Sequence, residues 1–180
     1  CPLRSSGRGG PAKCAPPLRS AKEQAGLWQQ LLAGEVTTVG SDHSPSPPDM
    51  KQDADFFKVW GGISGAQHAL PILLTEGHFN RRAPLALVSG LLSGNVAERF
   101  KLPKTKGRIA VGADADFALV DLGQAFEVRA EELFYRHALT PYLGRRLRGR
   151  VVRTILRGRT VFADGKIVAQ RPGKLIRPVK

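Results

Sequence analysis

At Gly107 the spacing of apolar residues changes, and the two halves of the chain call for different kinds of fold. Before it, apolar residues recur at helical intervals between short β-forming stretches. After it they recur at every second residue, as in strands with one wet face. In the first half, Ser20-Ala21-Lys22-Glu23 is a capping box. Its serine hydroxyl and glutamate carboxylate each satisfy an orphan N–H at a helix start. Leu27, Trp28, Leu31 and Leu32 form an apolar stripe behind it, and Gly34 stops the helix. Residues 36–39, four β-formers, predict a strand that runs into the polar loop 40–45. Further helices are predicted over 63–76, stopped by Gly77, and over 84–100, where Gly90 and Gly94 are weak points. The second half predicts short strands at 108–111, 117–120, 126–128, 151–156, 160–162 and 167–168, with a hairpin at Asp164-Gly165. The expectation is an α/β portion followed by a small β-sandwich.

Composition removes several function classes. No apolar run approaches the roughly 20 residues that span a bilayer, and the first residues carry no signal-peptide core, so the expected compartment is the cytoplasm. Two cysteines, Cys1 and Cys14, make neither a disulfide scaffold nor a zinc-finger spacing. Residues 129–180 hold 14 Lys/Arg against 3 Asp/Glu. That field could draw a polyanion. The arginines of 151–159 instead alternate with apolar residues, with no aromatic platform between them, so a solvated strand face is preferred over nucleic-acid binding. The Gly/Arg/Ser/Pro-rich opening, residues 5–11, is expected to be mobile.

Asp42 is the leading candidate for chemistry. It follows a predicted parallel strand at its C-terminal end, where α/β folds place reacting groups, and a carboxylate there can act as a base or ligate a metal. A turn or cap role for Ser41-Asp42-His43-Ser44 has equal standing on spacing alone. His43, His68, His78 and His137 form no ligand spacing and read as structural, with His43 a neighbour of Asp42 that could orient it. Trp60-Gly61-Gly62-Ile63-Ser64-Gly65 could present backbone N–H groups to an oxygen, or could turn tightly against another backbone. Cys14 has no histidine near it in sequence to make it a nucleophile.

Taken together, several motifs resemble the C-terminal part of a cyclic amidohydrolase, most closely those of allantoinase type. They are the segments 13–19, 40–51, 58–65, 106–116 and 140–145, which include Asp42-His43-Ser44-Pro45, Pro48-Asp49-Met50-Lys51 and Lys58-Val59-Trp60-Gly61-Gly62. The resemblance implies ring opening of allantoin to allantoate in purine breakdown, on a (β/α)8 barrel joined to a β-sandwich. A complete barrel needs about 250 residues, more than this chain has, so only its C-terminal part is expected. The implied division is an unmatched start at 1–12, a barrel portion at 13–104 and a sandwich segment at 105–180.

The resemblance further implies a binuclear zinc centre with a carboxylated lysine. Asp42 would be a metal ligand and the catalytic proton carrier, and Ala15, Pro16, Trp60 and Gly61 would bind substrate. Ala15 and Ser46 stand where dihydroorotases carry Asn and His that grip a carboxylate, which argues against that relative. The family's His-x-His pair, its lysine and two further histidines have no counterpart in this chain. The 180 residues are therefore expected to be inactive alone, to expose apolar surface and to aggregate. The resemblance also implies allantoin as the small-molecule substrate and, at full length, a homo-oligomer, commonly a tetramer in the family. Alternatives are a hydantoinase or dihydropyrimidinase type of activity, or a non-catalytic interaction module.

Overall fold

In a computed structural model of the chain, which describes residues 10–170 and 172–179, the capping box forms as the sequence predicts. The Glu23 N–H donates to Ser20 Oγ at 3.2 Å and the Ser20 N–H donates to Glu23 Oε2 at 2.9 Å, opening α1 (Ala21–Leu32). Gly34, at φ +80°, ends it. Of the stripe, Leu31 is buried whereas Leu27 and Leu32 stay exposed. The opening stretch 5–11 lies outside the described residues apart from Gly10 and Pro11, as does Cys1.

The second helix differs from its prediction at both ends. Ile63 is extended, its carbonyl accepting the Ser44 N–H at 2.9 Å beside a parallel bridge between His43 and Ile63. Helical structure begins with a 3₁₀ turn at Ala66–His68, continues as α2 (Ala69–Ile72) and widens to a π-helix over Leu73–Phe79. Gly77 does not stop it. A glycine stop needs a left-handed backbone, and that conformation falls at Arg82, φ 60°. The Arg82 N–H donates to His78 O at 3.0 Å, the bond of an αL cap, and the Ala83 N–H reaches back to Gly77 O at 3.0 Å.

The third helix matches its prediction, running as α3 (Leu85–Ser89), a π-helix at Gly90–Gly94 and α4 (Asn95–Arg99). A glycine stands at each end of the widened turn. Residues 36–39 form no strand. A strand needs a neighbour, and none among the described residues pairs with them; instead the Val39 N–H donates to Leu91 O at 3.0 Å and Asn95 Nδ2 donates to Thr37 O at 2.9 Å.

After Gly107 the chain makes one four-stranded sheet, β1 (Phe117–Glu127), β2 (Arg146–Leu156), β3 (Arg159–Ala163) and β4 (Lys166–Ile167), in that order. β2–β3 and β3–β4 are antiparallel. Both hairpins turn on two residues of positive φ, Arg157-Gly158 and the predicted Asp164-Gly165, as a type I′ turn requires. The predicted strands at 117–120 and 126–128 are one continuous strand. Asp121, Gly123, Gln124 and Ala125 between them are exposed, so periodicity gave no signal where pairing alone holds the backbone. Residues 108–111 are not a strand but part of a turn, with Ile109 86% and Val111 108% exposed.

The chain divides into two compact units that interleave in sequence. One comprises residues 10–35, Gly40–Ala69 and Glu127–Arg146; the other comprises Val36–Val39, Leu70–Phe126 and residues 147–179. In the second, Leu73, Leu74, Ala83, Val88, Leu91, Ala97 and Leu147 are buried. Gly149, at φ +88°, lets β2 approach so closely that a Cβ there would lie 2.7 Å from Leu74 Cδ1. Arg148 lays its guanidinium over the Phe79 ring at 4.0 Å, and its N–H donates to Thr75 Oγ1 at 2.9 Å. Among the described residues no helix is long and apolar enough to cross a membrane.

A charged knot closes this unit. Lys106 Nζ meets Asp114 Oδ2 at 2.8 Å and Asp116 Oδ2 at 2.5 Å, and Asp116 Oδ1 accepts the Arg157 N–H at 2.7 Å. Hydrogen bonds to Asp114 and Asp116 hold the Lys106 ammonium above its ordinary pKa. Burial alone would raise the Asp116 carboxyl, yet the bonds from Lys106 and Arg157 leave it below the usual range. Stability from Asp116 is therefore present above the ordinary carboxylate pKa and lost as pH falls through the lower folded value. Stability from Lys106 is present below the ordinary lysine pKa and lost as pH rises through the higher folded value. Lys106→Met should lower the free energy of urea unfolding at pH 7 by about 1–2 kcal/mol and flatten both limbs of the stability–pH curve. An unaltered curve would refute the knot. Arg82→Gly should raise stability by up to about 1 kcal/mol, since glycine meets no steric penalty in the left-handed cap. A lower melting midpoint would contradict that account of the helix stop.

Candidate active site

Asp42 sits in the left-handed region at φ 44°, a conformation that Asp tolerates better than most residues. Its exposed carboxylate belongs to an open cavity of about 250 Å³, lined also by Cys14, Ala15, Pro16, Ser41, Ser44, Gly61, Gly62 and Ile63. Four of the five residues singled out from the sequence, Asp42, Ala15, Pro16 and Gly61, thus share one cavity. Trp60 does not line it; its side chain is 41% exposed and its carbonyl points to Lys51. The Ala15–Pro16 peptide is cis, and the Cys14 thiol is free. The glycine pair is a site of close approach. A Cβ on Gly62 would stand 2.7 Å from Ser44 O, and one on Gly61 would stand 3.3 Å from Ala15 Cβ.

His43 serves the backbone. Its Nδ1 accepts the Gly65 N–H at 3.2 Å and lies 3.5 Å from the Ala66 N, and its ring lies against Tyr135 with centroids 4.9 Å apart. It therefore pins the segment after the glycines next to the Asp42 turn. Burial pushes His68 below the ordinary histidine pKa and both Tyr135 and Tyr142 above the ordinary tyrosine value. Tyr135 Oη accepts the Gln67 N–H at 2.8 Å, and Thr140 Oγ1 donates to Ser64 O at 2.7 Å, so residues 135–140 clasp the start of the helix.

Two lysines that residue-type reasoning passed over organise the same unit. Lys13 Nζ donates to Phe56 O at 2.6 Å, Phe57 O at 3.1 Å and Val59 O at 2.7 Å. Lys51, only 5% exposed, donates to Lys13 O at 2.9 Å and Trp60 O at 2.8 Å. Burial lowers the Lys51 pKa, opposed by Cys14 and reinforced by the Lys13 charge. The signal in the sequence was Lys51 itself, a lysine closing the Pro48-Asp49-Met50 turn, which spacing could not distinguish from a solvated one.

This donor set does not fit a metal. Among the described residues no three His, Cys, Asp or Glu side chains converge, Asp42 brings one carboxylate, and the His43 Nδ1 lone pair is already engaged. What the cavity offers chemically is one carboxylate, that of Asp42, among mostly small residues that include two glycines and two serines.

The Amidohydrolase family profile matches residues 31–162. The chain is 55% identical over 170 residues to an allantoinase of Rubrobacter xylanophilus and 52% identical over 170 residues to an allantoinase of Deinococcus radiodurans. Each alignment covers 94% of this chain and 37% of the relative, so the chain spans little more than a third of those proteins. Among solved structures, a D-hydantoinase from Thermus sp. superposes with a TM-score of 0.87 at 28% identity, over 94% of this chain and 38% of that one. An L-hydantoinase from Arthrobacter aurescens gives 0.86 at 34% identity, over 91% of this chain and 37% of that one. The extent of the profile match and the agreement in backbone place this chain in the amidohydrolase family.

Proposed function

We propose that the polypeptide to which this chain corresponds hydrolyses a cyclic amide, opening the hydantoin ring of allantoin to allantoate. The observation that carries the substrate is the 55% identity to an allantoinase over 94% of the chain, against 28–34% to the two hydantoinases. In this reading residues 13–104 are the C-terminal portion of a (β/α)8 barrel and residues 105–180 a segment of its β-sandwich. Asp42 is the proton carrier. Its carboxylate takes a proton from the water that attacks the ring carbonyl and returns it to the ring nitrogen as the carbon–nitrogen bond breaks. Backbone groups of Ala15, Pro16 and Gly61, with Trp60 adjoining, hold the ring, and in the longer polypeptide Asp42 would be one ligand of a zinc pair whose other ligands the described residues do not supply. The enzyme works in the cytoplasm as a homo-oligomer, most simply a tetramer.

One carboxylate gives neither the affinity nor the geometry of a two-metal site, so the 180 residues alone neither retain zinc nor turn over allantoin. Joined to the amino-terminal part of the Rubrobacter xylanophilus allantoinase, the chain should yield allantoate, and Asp42→Asn in that chimera should cut the rate about 10²–10⁴-fold. Full turnover by the Asp42→Asn chimera would refute the role of Asp42, and turnover by the unjoined chain would refute its inactivity alone. A chimera that opened hydantoin faster than allantoin would move it to the hydantoinase type.

A further inference from the structure

Lys51 and Ser46, both almost fully buried, line one small cavity in the same unit as Asp42. Lys51 is 5% exposed and spends two of its three N–H groups on Lys13 O and Trp60 O. Among the described residues no carboxylate pairs with it. Ser46 is also 5% exposed, and its Oγ has no hydrogen-bond partner. Both residues line a pocket of about 10 Å³, together with Pro11, Gly62, Ser64 and Thr140 among others. That space holds about one water molecule, and a water needs two to four polar partners, which the third Lys51 N–H and the Ser46 hydroxyl begin to supply.

We propose that Lys51 is the positioning residue of the Asp42 cavity, holding three of its walls at once: the Lys13 carbonyl, the Trp60 carbonyl and, through one buried water, the Ser46 hydroxyl. Each grip lies next to residues that line the cavity. Lys13 precedes Cys14, Ala15 and Pro16; Trp60 precedes Gly61 and Gly62; Ser46 follows Ser44 by two residues. Among the described residues only the isolated His43–Ile63 bridge pairs any of these wall segments, none belongs to the sheet, and a single cation with three donors adds the ties that a ladder would supply. The water completes the site on both sides. It satisfies a hydroxyl that would otherwise be buried at a cost, and it spreads the ammonium charge over a third oxygen. Anions larger than water exceed the space. That these walls frame a reaction rests on the function proposed above; the grip itself does not.

The test uses the chimera described above with every cysteine except Cys14 replaced by serine, so that Cys14 alone reports on the wall beside Lys13. Under native conditions Lys51→Met should speed Cys14 labelling by a thiol reagent about tenfold beyond any change in global unfolding, and Lys51→Arg, which keeps the cation, should restore most of the protection. Labelling that tracks global unfolding alone would overturn the positioning role. Ser46→Ala, a mild change that does not threaten folding, separates the water from a mere orphan. Loss of a bridged hydroxyl lowers the urea midpoint, whereas removal of an unsatisfied one leaves it unchanged or raises it, which would overturn the water site. A crystal structure showing density within hydrogen-bond distance of both Lys51 Nζ and Ser46 Oγ is the expected outcome, and a dry pocket overturns it. None of these readouts involves metal or substrate, so failure to hydrolyse allantoin and failure of the grip are distinguishable.

Discussion

Backbone carbonyls that belong to no ladder are the constraint on which the Asp42 unit depends. Residues 10–19 and 52–62 run irregularly, yet their oxygens must find donors wherever water is excluded. Lys13 captures the part-buried Val59 oxygen together with the exposed Phe56 and Phe57 oxygens, and Lys51 captures two more, one of them the Lys13 carbonyl. The two cations are thus arranged in series, and the second rests on the main chain of the first. Burying Lys51 without a counter-charge costs free energy, visible in its lowered pKa. The gain is rigidity in a region where neither helix nor sheet could supply it.

The other unit meets the same requirement by regular means. Its helices bury Leu74, Val88 and Leu91, and β2 comes close enough to meet Leu74 because Gly149 has no side chain. The widened turns at Leu73–Phe79 and Gly90–Gly94 leave carbonyls off the ordinary helical path, and Leu91 O is taken by the Val39 N–H. Arginines on β2 are absorbed into this packing. Arg148 lies over the Phe79 ring at 4.0 Å, and Arg150 lies over the Phe126 ring at 5.3 Å, so part of the basic excess is spent on aromatic faces.

What the sequence made legible follows the range of the forces involved. The Ser20 capping box, the Gly34 stop and the Asp164-Gly165 turn are decided within a few residues, and each formed as read. The helix stop near Gly77 failed because Gly77 is buried in the helix and the left-handed position fell to Arg82 instead. The strands at 36–39 and 108–111 failed for another reason: β-propensity describes fitness for a pleat, and a pleat exists only where a neighbour pairs. Asp42, Ala15, Pro16 and Gly61, distant in sequence, line one cavity. Lys51 was hidden because burial is a property of the assembled fold, not of its Pro-Asp-Met-Lys surroundings.

The left-handed backbone at Asp42 makes residue 42 answer to two selections at once. Glutamate carries the same charge but is far less suited to that conformation, and its longer arm would move the carboxylate along the cavity. Asparagine and glycine suit the conformation and lack the charge. Conformation and charge together thus leave aspartate as the one amino acid that satisfies both, and the usual exchange between the two acidic residues is closed at this position by the shape of the main chain.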